Sequence, residues 1–148
     1  MFVKTLLSLL FLSTLLSAQN ININNEVKEA NAEGKQLFVL LHKTDCGYCE
    51  SFIQFTLDDR SVKTKLSNEF IEVHLNVHHK GTIIWNNFKG TLKEFAIHIN
   101  RNFYPTSVFF DDHANIILTR SGYIEEKPFF KLLTKAQTKL YCDTEELK

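Results

Sequence analysis

The chain has 148 residues, with 17 Lys and Arg set against 17 Asp and Glu, so its formal net charge is zero. That length suits one hydrophobic core. The even charge balance lacks the basic footprint of a nucleic-acid binder or of a protein that adheres to anionic membranes, so no nucleic-acid partner is expected.

The first residues read MFVKTLLSLLFLSTLLSAQN, with Lys4 the only charge before Glu26. Residues 6–16 are apolar apart from hydroxyl residues, and the small residues Ser17 and Ala18 follow. A positive start, a short apolar run and a small-residue exit make a secretory signal over residues 1–18. The run is shorter than the roughly 20 residues of a membrane span, although a retained anchor is the competing reading. Leu16, three residues before a cut after Ala18, departs from the small residue such a site prefers. Cleavage there leaves residues 19–148 as a single domain, placed in the periplasm or secreted. Losing Lys4 leaves that domain with one acidic residue in excess.

Residues 20–25, NININN, read as a lead-in segment. Residues 26–33 carry helix formers, with Gly34 as a stop. QLFVLLH follows, a continuous apolar run of strand length, which suggests a strand buried on both faces. After the TDCGYCES stretch, Tyr48, Phe52, Ile53 and Phe55 fit one side of a helix. LDD breaks that pattern, and Val62 and Leu66 suggest a second helical stretch. FIEVHLNV alternates, with Ile71, Val73, Leu75 and Val77 on one face and Glu72, His74 and Asn76 on the other, as in a strand. HHKGTIIWNNFKG reads as irregular, with Trp85 and Phe88 covering a sheet edge or forming an aromatic patch for a partner. Thr91 and Glu94 have the spacing of a capping box, and Leu92, Phe95, Ala96 and Ile99 follow at helical spacing. YPTSVFF, DDHAN and IILTR read as a strand, a turn and a strand, with Gly122 at the far end. A final amphipathic helix starts near Pro128 and carries Phe129, Leu132, Leu133, Ala136 and Leu140. The first two strands, joined through helices, are parallel, and the last two form an antiparallel hairpin, so the fold class is α/β with a mixed sheet between helices.

The three cysteines are Cys46, Cys49 and Cys142. A bridge between the first two closes a tiny loop and stabilises weakly as a staple, so a structural framework is a poor explanation for it. A Cys-x-x-Cys pair that follows a buried strand and opens a helix suits redox chemistry better. A helix N-terminus presents unpaired N–H groups and the positive end of the dipole, which favour a thiolate. A cysteine so placed can have its pKa drawn from about 8.5 into the range of roughly 3.5–7.5. Cys46, at the helix end, is then the nucleophile, and Cys49, one turn in and more buried, resolves the mixed disulfide. A zinc site needs four ligands, and no second cysteine pair is present. His74, His78 and His79 form a loose cluster with His42 near the dithiol, read either as a solvated strand end or as a metal-handling group. Cys142 reads as a half-buried helix residue.

The strand, CGYC and helix unit together with the later YPT resembles the thioredoxin superfamily, and most of all its small exported members. Those carry a Gly-Lys pair before the apolar strand, matched by Gly34 and Lys35, and a stretch similar to LDDRSVKTKLSNEFIEVHLNV; CGYC also occurs in periplasmic disulfide isomerases. The resemblance spans roughly residues 26–141. It implies a thioredoxin-like three-layer α/β/α fold with a central mixed sheet. It also implies a cis Tyr104–Pro105 bond lying against the dithiol, with Tyr104 and Thr106 on either side of Pro105 as substrate-binding residues. The chain departs from thioredoxin at Asp45, where that family has Trp, and at Leu40, where a buried Asp assists proton transfer. His74 falls where thioredoxin has a nearby lysine. His74 and Glu50 are therefore candidates for a proton relay to Cys49, beside the plainer readings of a strand imidazole and a helix-surface carboxylate.

The function implied is an exported thiol–disulfide oxidoreductase that needs no cofactor or metal. It would reduce disulfides of exported proteins and draw electrons from a membrane-bound redox partner. Disulfide oxidation or isomerisation is the competing enzymatic reading, and a thioredoxin-like binding or metal-handling module is the non-enzymatic one.

Overall fold

The computed structural model describes residues 18–138. The leader before Ala18, Leu140 and Cys142 lie outside the described residues.

A four-stranded mixed sheet organises the domain. β2 (Gln36–His42) lies at its centre, between β3 (Phe70–Asn76) and β6 (Thr106–Phe110), and β7 (Ile116–Ser121) follows β6 at one edge. β2 and β3 are parallel, as expected of strands joined through helices, while β2–β6 and β6–β7 are antiparallel. The apolar run of β2 is buried on both faces. Leu37, Val39 and Leu41 join one core, with α1 (Ile23–Ala32) and α4 (Leu92–His98). Phe38 and Leu40 join a second core on the opposite face, with α3 (Arg60–Glu69) and α5 (Glu126–Gln137). The result is the three-layer arrangement expected from the sequence.

Local chemistry sets most helix ends. Asn22 caps α1 by accepting from the N–H groups of Asn24 and Asn25, which starts the helix ahead of the predicted residue 26. Asp59 caps α3. Thr91 and Glu94 form the full capping box at α4. Pro128 lies in the first turn of α5, where a missing N–H leaves no bond unmade. Gly34 and Gly122, the two glycines read as stops, have φ of +68° and +94°.

Two expectations are corrected. Residues 19–22, at the start of the expected lead-in, and most of the segment read as irregular form a second sheet. β1 (Gln19–Asn22) pairs in parallel with β4 (Gly81–Trp85), and β4 pairs antiparallel with β5 (Phe88–Thr91). Asn86, with φ of +50°, turns the hairpin between Trp85 and Phe88. β1 approaches so closely that a Cβ at Gly81 would lie 2.0 Å from the Gln19 carbonyl oxygen. Trp85 and Phe88 fold inward. The Trp85 indole N–H donates to the Ala114 carbonyl at 2.7 Å and its ring meets Phe95 edge-on, while Phe88 lies against His98 and Phe95. The second correction concerns α2 (Gly47–Ser51), which continues as a π-helical segment, Phe52–Leu57. The wider winding turns Phe52, Thr56 and Leu57 into the core and leaves Tyr48 and Phe55 exposed, where ideal α periodicity had grouped both with Phe52.

Candidate active site

The site is built where β2 ends. The chain leaves the sheet at His42, crosses residues 43–45 and enters α2 at Cys46. Asp45 takes φ of +54°, in the left-handed region, and so turns the loop into the helix. Cys46 is the N-cap of α2. Its Sγ accepts from the N–H of Cys49 at 3.2 Å, and its carbonyl accepts from the N–H of Glu50 at 3.0 Å. Cys46 and Cys49 are joined in a disulfide with Cα atoms 5.2 Å apart. Cys46 is 7% exposed and Cys49 2%, so the expected difference in exposure exists but is small. What separates the two sulfurs is position: Cys46 Sγ occupies the place of a capping oxygen and accepts from a helix N–H that has no intrahelical partner.

The loop before β6 lies against this pair. The Tyr104–Pro105 peptide is cis, and the Tyr104 carbonyl oxygen is 4.0 Å from Cys46 Sγ. The Pro105 carbonyl accepts from Gly122 N–H at 2.7 Å, which brings the end of β7 to the same place. Tyr104 is half-buried, and burial raises its phenol pKa. Thr106 is fully buried. Its hydroxyl donates to the Phe103 carbonyl at 2.6 Å and bonds the Ser121 hydroxyl at 2.8 Å, so it shapes the proline loop and presents nothing to solvent.

The two candidate proton relays are placed differently. His74 stands opposite Leu40 in the β2–β3 register, as the alignment of HLNV implied. Its Nε2 is 2.5 Å from Glu72 Oε1, and its ring meets that of His42 edge-on at 5.9 Å. Glu50 is exposed on the first turn of α2. Among the described residues, neither makes a hydrogen bond to a cysteine sulfur. His42 stands beside His74 at the end of β2. Burial first, then the nearby His74 and His79, lower its pKa to about 4, which keeps it neutral near pH 7.

Sequence reasoning missed three exposed aromatic residues that neighbour the site residues along the chain. Tyr48, between the two cysteines, is 74% exposed, and Phe103, two residues before Pro105, is 72% exposed. Tyr123 follows Gly122, is partly exposed and meets Phe52 edge-on. Their chain positions beside the dithiol, the proline and the stop glycine were the available signal. Among the described residues, the one group with donors close enough to hold a cation is Asp111, Asp112 and His113. It lies in the β6–β7 turn, beyond the end of β6 opposite to Pro105.

Residues 23–137 match the family model described as a thioredoxin-like domain. No curated protein sequence matches the chain. Among solved structures, a thioredoxin from Thermus thermophilus superposes with a TM-score of 0.65 at 22% identity, over 83% of this chain and 89% of that one. A thioredoxin-fold protein from Helicobacter pylori gives 0.60 at 22% identity, over 77% and 78%. The C-terminal domain of Neisseria meningitidis DsbD in its reduced form gives 0.56 at 10% identity, over 77% and 90%. At such identities these likenesses establish the fold. The family match covers most of the chain and takes in the cysteine pair, so the chain belongs to the thioredoxin-like domain family, as a thiol–disulfide oxidoreductase with a Cys-x-x-Cys pair.

Proposed function

We propose that this protein is exported and reduces disulfides in other exported proteins, with Cys46 as nucleophile and Cys49 as resolving thiol. The observation that carries the reading is the place of Cys46 Sγ, which receives the Cys49 N–H at the start of α2 beside the Tyr104 carbonyl. In the reduced protein that N–H and the helix end stabilise a Cys46 thiolate. The thiolate attacks one sulfur of a substrate disulfide. A mixed disulfide forms, and the other substrate sulfur leaves as a thiolate and takes up a proton. Cys49, deprotonated, attacks Cys46 Sγ and releases the second substrate thiol. The enzyme is left with the Cys46–Cys49 disulfide, the state the structure holds.

The Tyr104 backbone offers an extended substrate segment an edge to pair with beside Cys46, and the exposed Tyr48 and Phe103 supply apolar contact on either side. Removal of the proton from Cys49 falls to His74 or Glu50 in this reading. A membrane-bound reductant re-reduces the disulfide; the likeness to the C-terminal domain of DsbD is consistent with a place in such an exchange chain. Lys4, the apolar run and Ala18 support export and cleavage before Gln19.

Equilibration of the dithiol with glutathione tests the direction. A potential near the thioredoxin value of about −270 mV supports reduction, whereas one near about −120 mV assigns oxidation and overturns the proposal. A Cys49→Ser variant, which stalls at the mixed disulfide, identifies the substrates.

A further inference from the structure

Asn76 ends β3 and is 7% exposed. Its Oδ1 accepts from the backbone N–H of His78 at 3.0 Å. A backbone N–H can only donate, so this contact fixes which amide atom is oxygen. The Nδ2 group must then face the two remaining neighbours, and it does. It donates to Thr44 Oγ1 at 3.2 Å and lies 3.2 Å from His79 Nε2. Two hydrogens meet two acceptors. Among the described residues, the bond to Thr44 is the one side-chain hydrogen bond holding residues 43–45, the loop that carries the chain into Cys46. His79 Nε2 can accept only with its lone pair free, which requires a neutral ring protonated at Nδ1.

We propose that Asn76 is a positioning residue that anchors the loop leading into Cys46, and that a neutral His79 locks Asn76 in place. Protonating His79 puts an N–H against the Asn76 amide hydrogens and destroys that contact. The buried carboxamide must then turn or leave a hydrogen without a partner, and the bond to Thr44 weakens with it. The reactivity of the dithiol therefore acquires a histidine-type ionisation in addition to that of its own thiol. This inference rests on the reading of Cys46 as nucleophile.

The titratable groups around His79 do not supply the same effect. His42, at the end of β2, is held neutral until well below the usual histidine range. His74 pairs with Glu72 on β3. His78 is joined to Asn76 through its backbone, and Lys80 through its carbonyl to Gln19 N–H, not through their side chains. Lys43 and Asp45 flank Thr44 and are exposed.

The test follows two signals from about pH 5 to about pH 9. The first is the amide resonances of Thr44, Asp45 and Cys46 in the oxidised protein, read against the His79 ring resonances. The second is the rate of Cys46 alkylation by iodoacetamide in the reduced protein. In the wild type the three amides move at the midpoint of the His79 titration, and below it the alkylation rate falls more steeply than one ionisation allows. His79→Gln, whose side-chain carbonyl accepts from Asn76 at every pH, abolishes the amide transition and restores a single ionisation. Asn76→Asp keeps the shape of the side chain but accepts from Thr44 and pairs with protonated His79, so the direction of the pH effect reverses. Thr44→Val lowers alkylation at neutral pH by about fivefold, the loss of one hydrogen bond. Amides that ignore the His79 titration, or a His79→Gln profile with the wild-type shape, overturn the proposal. Failure of the wild type to reduce insulin, with the amide transition intact, refutes the oxidoreductase reading instead and leaves the Asn76 anchor standing.

Discussion

His42 makes the stability of the protein depend on pH between the ordinary histidine range and about pH 4. Its folded pKa is about 4, against 6.5 for an unperturbed histidine, with burial as the main cause. The folded state therefore disfavours the proton, and the unfolded state binds it first. The contribution to stability is full above about pH 6.5 and is lost as pH falls towards about pH 4. Without solvent screening a shift of this size corresponds to about 3 kcal/mol, at 1.36 kcal/mol per unit. His42 is only half-buried, and screening brings the expected loss to about 1–2 kcal/mol. Urea unfolding of the oxidised protein at a series of pH values measures it, with His42→Gln as the reference that cannot titrate. Other groups change along the same series. Hydrogen bonds hold the carboxyls of Asp59, Glu94 and Asp111 below their usual range, so their contributions are lost at lower pH and appear in both proteins. The difference between wild type and variant isolates His42, and it should grow steadily as pH falls from about 6.5 to about 4. Parallel stability curves across that range would refute the assignment and show that water reaches the ring freely in the folded state.

Further outcomes are expected elsewhere in the molecule. Cys46→Ser should abolish insulin-disulfide reduction, while Cys142→Ser should leave most of it; equal loss in both would give Cys142 a role in the exchange. Gly81→Ala should destabilise the domain by about 1–3 kcal/mol, because its methyl would meet the Gln19 carbonyl, and urea midpoints measure this. Thr91→Ala removes half of the capping box and should cost about 1 kcal/mol, with activity per folded molecule unchanged. The proposed export and cleavage predict that N-terminal sequencing of the mature protein begins at Gln19; an intact Met1 on a membrane-bound product would refute processing.

Much of the fold was legible because its causes are local. The apolar run of β2 needed two covered faces, and the sheet supplies them with α1 and α4 on one side and α3 and α5 on the other. The capping box, the stop glycines and the cysteine pair at a helix start are contacts between residues a few positions apart, and sequence displays such contacts directly. The second sheet was not legible. β1 is four residues rich in Asn, with little strand propensity, and it exists because β4, some 60 positions later, lies beside it. The Asn-Asn pair at residues 86–87 was a hairpin signal, but nothing in its neighbourhood named the third strand.

The candidate site divides in the same way. Residue types and spacing alone determined that Cys46 and Cys49 would meet, that the pair would open a helix and that a proline-bearing strand would follow. Tertiary structure decided the rest: the 4.0 Å approach of the Tyr104 carbonyl to Cys46, the burial of Thr106, the depressed pKa of His42 and the contact of Asn76 with Thr44 and His79. Each of these depends on groups from different strands or loops arriving at one point. Hydrogen bonding and desolvation act over a few ångströms in space, whatever the separation in sequence, so only the folded chain settles which groups they join.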